Sequence, residues 1–213
     1  MKKHQNKYLL KKRSEVLDYA KVLISEKGLT NNILKDISIK NKLDLNEIEL
    51  LFPEGNGDLI KFALKQLNNE LEEYCKKIDL IRLPIHKRVR KILLSKIYLM
   101  NKYKSFYRNI FINLFIPKKN LSLSSQMYNS VDQIWFIAGD SSVDFNFYTK
   151  RLILSGIYSR VMLFFFNNDN QRELESLLDE NLKRVSKIPE IKSKLSILKE
   201  YFPKILKFVK DSY

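Results

Sequence analysis

Apolar residues recur at steps of three and four along most of this chain, the spacing of one buried face on an α-helix. From residue 9 to 27, Leu10, Val16, Leu17, Ala20, Leu23 and Ile24 share such a stripe, and Gly28 supplies a stop after Lys27. Thr30 or Asn31 is placed to cap a second, short helix carrying Ile33, Leu34, Ile37 and Ile39. Asp44 is placed to cap a third, from Leu45 to Phe52, which Pro53 ends. A fourth follows Gly57-Asp58 and turns Leu59, Phe62, Ala63, Leu67 and Leu71 inward.

The pattern continues beyond Pro84, a residue suited to a first helical turn. Val89, Ile92, Leu93, Ile97 and Met100 form the inner stripe there, with Arg82, Lys87, Arg88, Arg90, Lys91 and Lys96 on the other faces. These cations read as a solvated surface, or as a contact face for anionic lipid head groups or an acidic partner. Tyr103 to Ile116 adds Phe106, Tyr107, Ile110, Phe111, Leu114 and Phe115 before Pro117. Leu121 to Ala138 and Asp144 to Phe166 then flank a corner at Gly139-Asp-Ser-Ser. Gly139 suits a left-handed helix end, and Ser141 with Asp144 has the spacing of a capping box. The helix after the corner is apolar nearly all round, which suits burial on every side or a face shared between core and interface. Asn167 to Asn170 reads as a loop and cap before Leu174, Leu177, Leu178, Leu182 and Val185.

From Ile188 onward the stripe becomes Ile188, Ile191, Leu195, Leu198, Phe202, Ile205 and Val209, with lysines between, among them Lys199 and Lys207. Pro203 kinks or restarts it. A basic amphipathic helix of this type lays its apolar face into a membrane while lysines meet anionic lipid. The same pattern also fits a terminal helix packed on its own domain or on a second copy.

Composition narrows the possibilities. The 213 residues hold only five Gly and five Pro, with 45% hydrophobic and 30% charged residues, as an all-α protein would. A single cysteine, Cys75, excludes an internal disulfide, and two histidines, His4 and His86, argue against a His/Cys zinc site. Cys75 reads as a small packed residue. The longest apolar run, Val161 to Phe166, is far short of the ~20 residues that span a bilayer. The Lys-rich start lacks the apolar core of a secretory signal, so a cytoplasmic protein is the simpler expectation. The formal charge of +15 points to anionic partners: nucleic acid, lipid or an acidic protein. Residues 80–131 carry eleven Lys/Arg and no carboxylate.

The run Glu26-Lys-Gly-Leu-Thr, Leu34-Lys-Asp-Ile and Leu51-Phe-Pro-Glu-Gly-Asn-Gly-Asp-Leu59 resembles the amino-terminal domain of TetR-like regulators, whose third helix reads DNA. Charge opposes that role here. Between Leu43 and Ile60 there is no Lys or Arg, while Asp44, Glu47, Glu49, Glu54 and Asp58 would repel a phosphate backbone. Lys11, Lys12 and Arg13 could touch phosphates, but such contacts position without reading sequence.

A more specific resemblance lies in Trp135-Phe-Ile-Ala-Gly-Asp-Ser-Ser-Val-Asp-Phe-Asn-Phe-Tyr-Thr-Lys-Arg151. It is similar to the signature of the coenzyme Q (ubiquinone) biosynthesis accessory proteins, with Leu51-Phe-Pro-x-Gly-x-x-Asp-Leu59 as a second element. Two positions depart from the family pattern: Val143 stands for its Thr, and Phe147 for its Trp. The resemblance implies an all-α, TetR-like fold that has left DNA behind. It divides the chain into a degenerate helix-turn-helix domain at 1–56, a helical lipid-binding and dimerisation domain at 57–188, and a basic amphipathic helix at 189–213. It implies no catalysis and no cofactor, but a bound isoprenoid or phospholipid, a homodimer, and peripheral attachment to the inner membrane (on the matrix side of a mitochondrion). The expected partner is demethoxyubiquinone hydroxylase, to which the lipid substrate is presented. By position, Asp132, Ile134, Phe147, Tyr148 and Arg151 would face that partner. Trp135, Leu154, Ile157, Tyr158, Val161 and Phe165 would line the lipid pocket, and Leu195, Leu198, Lys199, Phe202, Ile205 and Lys207 would meet the membrane. The competing reading is a repressor that senses an apolar ligand. Asp140 and Asp144 form no obvious acid/base pair; capping and turn stabilisation suit them better.

Overall fold

A computed structural model describes residues 2–115 and 121–186, with side chains described for 7–113, 125–143 and 147–183. The chain runs through α1 (Lys2–Lys27), α2 (Ile33–Asn41), α3 (Leu45–Leu51), α4 (Asn56–Lys76), α5 (Ile85–Asn101), α6 (Lys104–Phe115), α7 (Leu121–Ile137), α8 (Asp144–Asn167) and α9 (Gln171–Ser186). Among the described residues there is no strand. The expectations on the stretch after Ile188, including Leu195, Leu198, Lys199, Phe202, Ile205 and Lys207, lie outside the described residues.

The stop signals work as the residues suggest. Gly28, at φ +80°, donates its N–H to Ile24 O and ends α1. Asp44 caps α3 by accepting from Asn46 N at 3.0 Å, and Asn170 Oδ1 accepts from Arg172 N and Glu173 N at the start of α9. Two details differ. The residue before α2 is Asn32 and makes no side-chain cap; Thr30 instead donates to Asp36. Leu10 and Ile39 lie half or more exposed, so the stripes of the first two helices are narrower than their spacing suggests.

One buried apolar cluster runs from Val16 in α1 to Leu178 in α9, so the three amino-terminal helices share a core with the rest. In that region Arg13 is held between the rings of Phe52 and Phe62, 4.8 and 4.5 Å from their centroids. Lys12 pairs with Glu47 of α3 at 3.3 Å. The cations nearest the would-be reading helix are thus engaged within the protein, and α3 presents Asn46, Glu47, Glu49 and Leu50 outward.

The cations of α5 do not all face solvent. Lys96 is fully buried, and Arg88 lies across carbonyl groups of Ile81, Leu83 and Ala138. Lys96 falls on the same face as Val89, Leu93 and Met100, which is why it points inward. The sequence assigned it to the surface because it is charged. Its position in the register overrides that.

Candidate functional site

The corner between α7 and α8 is built around a left-handed glycine. Gly139 has φ +79°. Its N–H bonds Phe136 O, and the Asp140 N–H reaches back to Trp135 O, each at 3.0 Å. This is the paired closure of a helix that ends in a left-handed residue. A side chain at 139 is opposed twice, since a Cβ there would also lie 3.1 Å from Arg88 Nη1. Arg88 Nη1 in turn donates to Ala138 O at 3.0 Å and ties the corner to α5.

Beneath the corner lies an ionic clamp. The Asp140 carboxylate is 1% exposed and receives Lys150 Nζ at 2.7 Å, Arg151 Nη1 at 3.3 Å and the Ser142 hydroxyl at 2.6 Å. Arg151 Nε bonds Asp132 Oδ1 at 2.6 Å, and Nη1 also donates to Phe147 O at 3.2 Å. Burial alone would push the Asp140 carboxyl up. The hydrogen bonds from Lys150 and Ser142, with the neighbouring cations, outweigh it and hold the group below the ordinary carboxylate range. Arg151 also lies on the Phe147 ring, 3.3 Å from its centroid, and Lys150 lies 5.4 Å from that of Trp135. The indole closes the circuit by donating Nε1–H to Lys150 O at 3.2 Å.

The sequence reading of this corner needs two corrections. Helix α8 begins at Asp144 after Val143, whose conformation is extended, so Ser141 is not its cap and the capping box is not formed. Asp140 stabilises the corner by pairing with two cations across the turn. Lys150 carries no such signal in the sequence. Its spacing of ten residues from Asp140 gives no local signal, because the turn and not the helical repeat brings the two together.

The residues assigned to partner contact divide. Tyr148 and the Asp132 side chain are substantially exposed and Phe147 is partly so, whereas Ile134 and Arg151 are buried. The latter two therefore shape the surface from below and do not form it. The outer face around the corner instead includes Phe136 at 70%, Val143 at 69% and Leu152 at 65% exposure, three large apolar groups in water. Val143 occupies the N-cap position of α8, where the Thr of the family pattern could cap the helix and a valine cannot, and Phe147 keeps the aromatic face that Arg151 covers.

Trp135, Leu154, Ile157, Tyr158, Val161 and Phe165 are all buried in the common core. They lie together on the inner faces of α7 and α8. Phe165 also borders a cleft of about 420 Å³ between α5 and the turn into α9. A second cleft, of about 530 Å³, is a charged groove around Arg90, Glu175 and Asp179. Among the described residues no group of His, Cys, Asp or Glu side chains could hold a metal ion. Cys75 is buried, and burial pushes its thiol up, away from the thiolate.

Residues 121–189, which begin at α7, match the family model described as COQ9. The chain is 26% identical over 156 residues to the "Ubiquinone biosynthesis protein COQ9, mitochondrial" of Rattus norvegicus, covering 67% of this chain and 50% of that one. The Homo sapiens protein of the same description is also 26% identical over 156 residues, covering 67% and 49%. The "Probable ubiquinone biosynthesis protein coq9, mitochondrial" of Dictyostelium discoideum is 30% identical over 98 residues, 43% of this chain and 32% of that one. The chain thus spans about half the length of the curated relatives it matches first. In three dimensions it is similar to a TetR transcriptional regulator from Nitrosomonas europaea, with a TM-score of 0.63 at 15% identity over 82% of this chain and 97% of that one. That likeness shows the fold.

Proposed function

We propose that this chain, which matches the COQ9 family model over residues 121–189, serves ubiquinone biosynthesis as a non-catalytic accessory protein. In this reading it holds an isoprenoid or phospholipid and presents a polyprenylated quinone precursor to the demethoxyubiquinone hydroxylase at the inner membrane. The observation that carries it is the clamped corner. Asp140, Lys150, Arg151 and Asp132 fix the end of α7 against the start of α8, within the family segment, under exposed Phe136, Val143 and Leu152. A rigid backbone carrying exposed apolar groups favours protein docking, because little ordering is needed on binding. Attachment to the membrane rests on the basic stretch after residue 187, on the formal charge of +15, and on the mitochondrial naming of the relatives. No helix among the described residues is long and apolar enough to cross a membrane. A homodimer completes the proposal.

The repressor reading draws on the TetR-like fold alone. Opposing it are the acidic surface of α3 and the engagement of Lys12 and Arg13 with Glu47, Phe52 and Phe62. Deletion of the gene tests the proposed role. Cells lacking the protein accumulate the hydroxylase substrate, demethoxyubiquinone, and re-expression clears it. Unchanged quinone composition would remove the proposal.

A further inference from the structure

The turn between α4 and α5 projects two side chains away from the core. After Lys76 the chain makes a β-turn at Leu80–Leu83, closed by Leu83 N–H donating to Leu80 O at 3.0 Å. Leu80 is buried and anchors the turn. Its two central residues point outward: Ile81 is 85% exposed, and the Arg82 side chain 89%. Central turn positions ordinarily hold Pro, Gly, Asn, Asp or Ser. A single isoleucine in water needs no explanation by itself, but three further features accompany this one.

The first is rigidity. From α5, Arg88 Nε donates to Leu83 O at 2.7 Å and Nη2 to Ile81 O at 2.8 Å, so one guanidinium holds two carbonyls of the turn. Its remaining nitrogen, Nη1, bonds Ala138 O at 3.0 Å and fixes the turn beside the α7–α8 corner. The second is a neighbour of the same kind. Ile85, the first residue of α5, is 39% exposed. The third is charge. Lys77, Arg82, Lys87 and Lys91 are exposed, and between Lys77 and Lys91 the only carboxylate is Asp79, 3.4 Å from Arg82 Nε. Glu72 and Glu73, a turn earlier in α4, are taken up by Lys76.

Protruding aliphatic groups flanked by cations suit the surface of an anionic bilayer, where apolar side chains enter the head-group layer and the cations meet phosphate. A protein partner asks for something else. Stable interfaces cover about 800 Å² a side and centre on anchors seated in pockets. Neither the cleft beside Phe165 nor the groove around Arg90 is lined by residues of the turn. A bilayer imposes no such demand on shape. One weak anchor attaches only reversibly, and stable attachment takes two signals. The turn supplies one that is separate from the basic stretch after residue 187.

We infer that the α4–α5 turn is a membrane-contacting tip. Ile81 and Ile85 enter the head-group layer of an anionic bilayer, Lys77, Arg82 and Lys87 meet lipid phosphates, and Arg88 holds the α7–α8 corner at the bilayer surface. The inference rests on the membrane attachment proposed above and adds to it a surface independent of the tail.

The test measures binding of the full chain to vesicles of phosphatidylcholine with phosphatidylglycerol, and to phosphatidylcholine alone. Wild type is expected to prefer the anionic vesicles. Ile81→Asp is expected to bind them at least fivefold more weakly with its urea midpoint unchanged, since the side chain it alters is exposed. A second readout locates the contact. Cys75 is buried, so an environment-sensitive fluorophore can be placed selectively on Ile81→Cys or on Leu163→Cys, near the far end of α8. The label at 81 should shift to the blue and be quenched by spin-labelled lipid chains, and the label at 163 should do neither. Anionic-vesicle binding by Ile81→Asp within twofold of wild type, or an unquenched label at 81, overturns the tip while leaving attachment through the tail standing. Loss of hydroxylase binding by Ile81→Asp with vesicle binding intact also overturns it, and assigns the turn to a protein contact. If wild type binds neither vesicle, membrane attachment itself fails and the inference with it.

Discussion

Arg151 Nε bonds Asp132 Oδ1 at 2.6 Å across the α7–α8 hairpin, nineteen residues away along the chain. On its other side the same guanidinium reaches Asp140, a carboxylate that is only 1% exposed. One buried arginine thereby holds both arms of the corner, and this sets what substitutions there should do.

Removing a single member of a buried ion pair leaves its partner charged and unpaired, typically at a cost of about 3–5 kcal/mol. Asp140→Asn and Arg151→Met are each expected to approach that loss, measured by urea unfolding. The double variant is expected to lose clearly less than the sum, because Asp140 and Arg151 no longer strand each other and the partners left behind, Lys150 and Asp132, are partly exposed. Additive losses would show that the two groups do not act as one unit.

Gly139→Ala meets both the left-handed backbone and Arg88 Nη1 at 3.1 Å. A non-glycine residue in this region costs about 1–2 kcal/mol, before any crowding. Adding Arg88→Ala should leave the backbone part and relieve the rest, although it also removes the bond to Ala138 O. A Gly139→Ala protein as stable as wild type would contradict the geometry of the corner.

Lys96 gives a pH dependence whose sign can be worked out. Its folded value of about 7 lies below the ordinary lysine value, so between the two the unfolded chain binds more protons. Stability should therefore rise with pH from about 7 upward, with a limiting slope of about 1.4 kcal/mol per unit. Cys75, whose thiol is raised by burial, acts oppositely once the unfolded thiol titrates. Tyr107 and Tyr158 do so at higher pH. The difference between wild type and Lys96→Met isolates the lysine. It should narrow as pH rises from 7 to 9 and stay flat below 6, as read from urea midpoints. A difference independent of pH would mean that Lys96 is charged throughout.

The helices, their glycine stops and the all-α fold were legible in the sequence because they depend on spacing and local chemistry. Gly28, Asp44 and Gly139 each act where their residue type suggests. What was not legible depends on tertiary closeness. Lys150 reaches Asp140 only because a turn folds α8 back on α7. Arg88 covers a corner fifty residues later in the chain. Ile134 and Arg151 were assigned outward from the family pattern, which does not distinguish a side chain that touches a partner from one that supports the surface beneath. Lys96 is the intermediate case: its place in the Val89, Leu93, Met100 register already put it inside, and its charge hid the fact.

The exposed groups of the corner should matter for binding and little for folding. Phe136→Ser and Leu152→Ser remove side chains that are 70% and 65% exposed. Each is expected to change unfolding free energy by less than about 0.5 kcal/mol. Circular dichroism and urea midpoints check this, and a large loss of stability would mean that these residues are packed and not presented.

The most direct test of the proposed role is titration calorimetry of this protein against the demethoxyubiquinone hydroxylase of the same organism. Wild type is expected to bind, and the Phe136→Ser, Leu152→Ser double variant to bind at least tenfold more weakly while remaining folded. Absence of binding by wild type, or equal binding by the folded double variant, would contradict the α7–α8 corner as the docking surface.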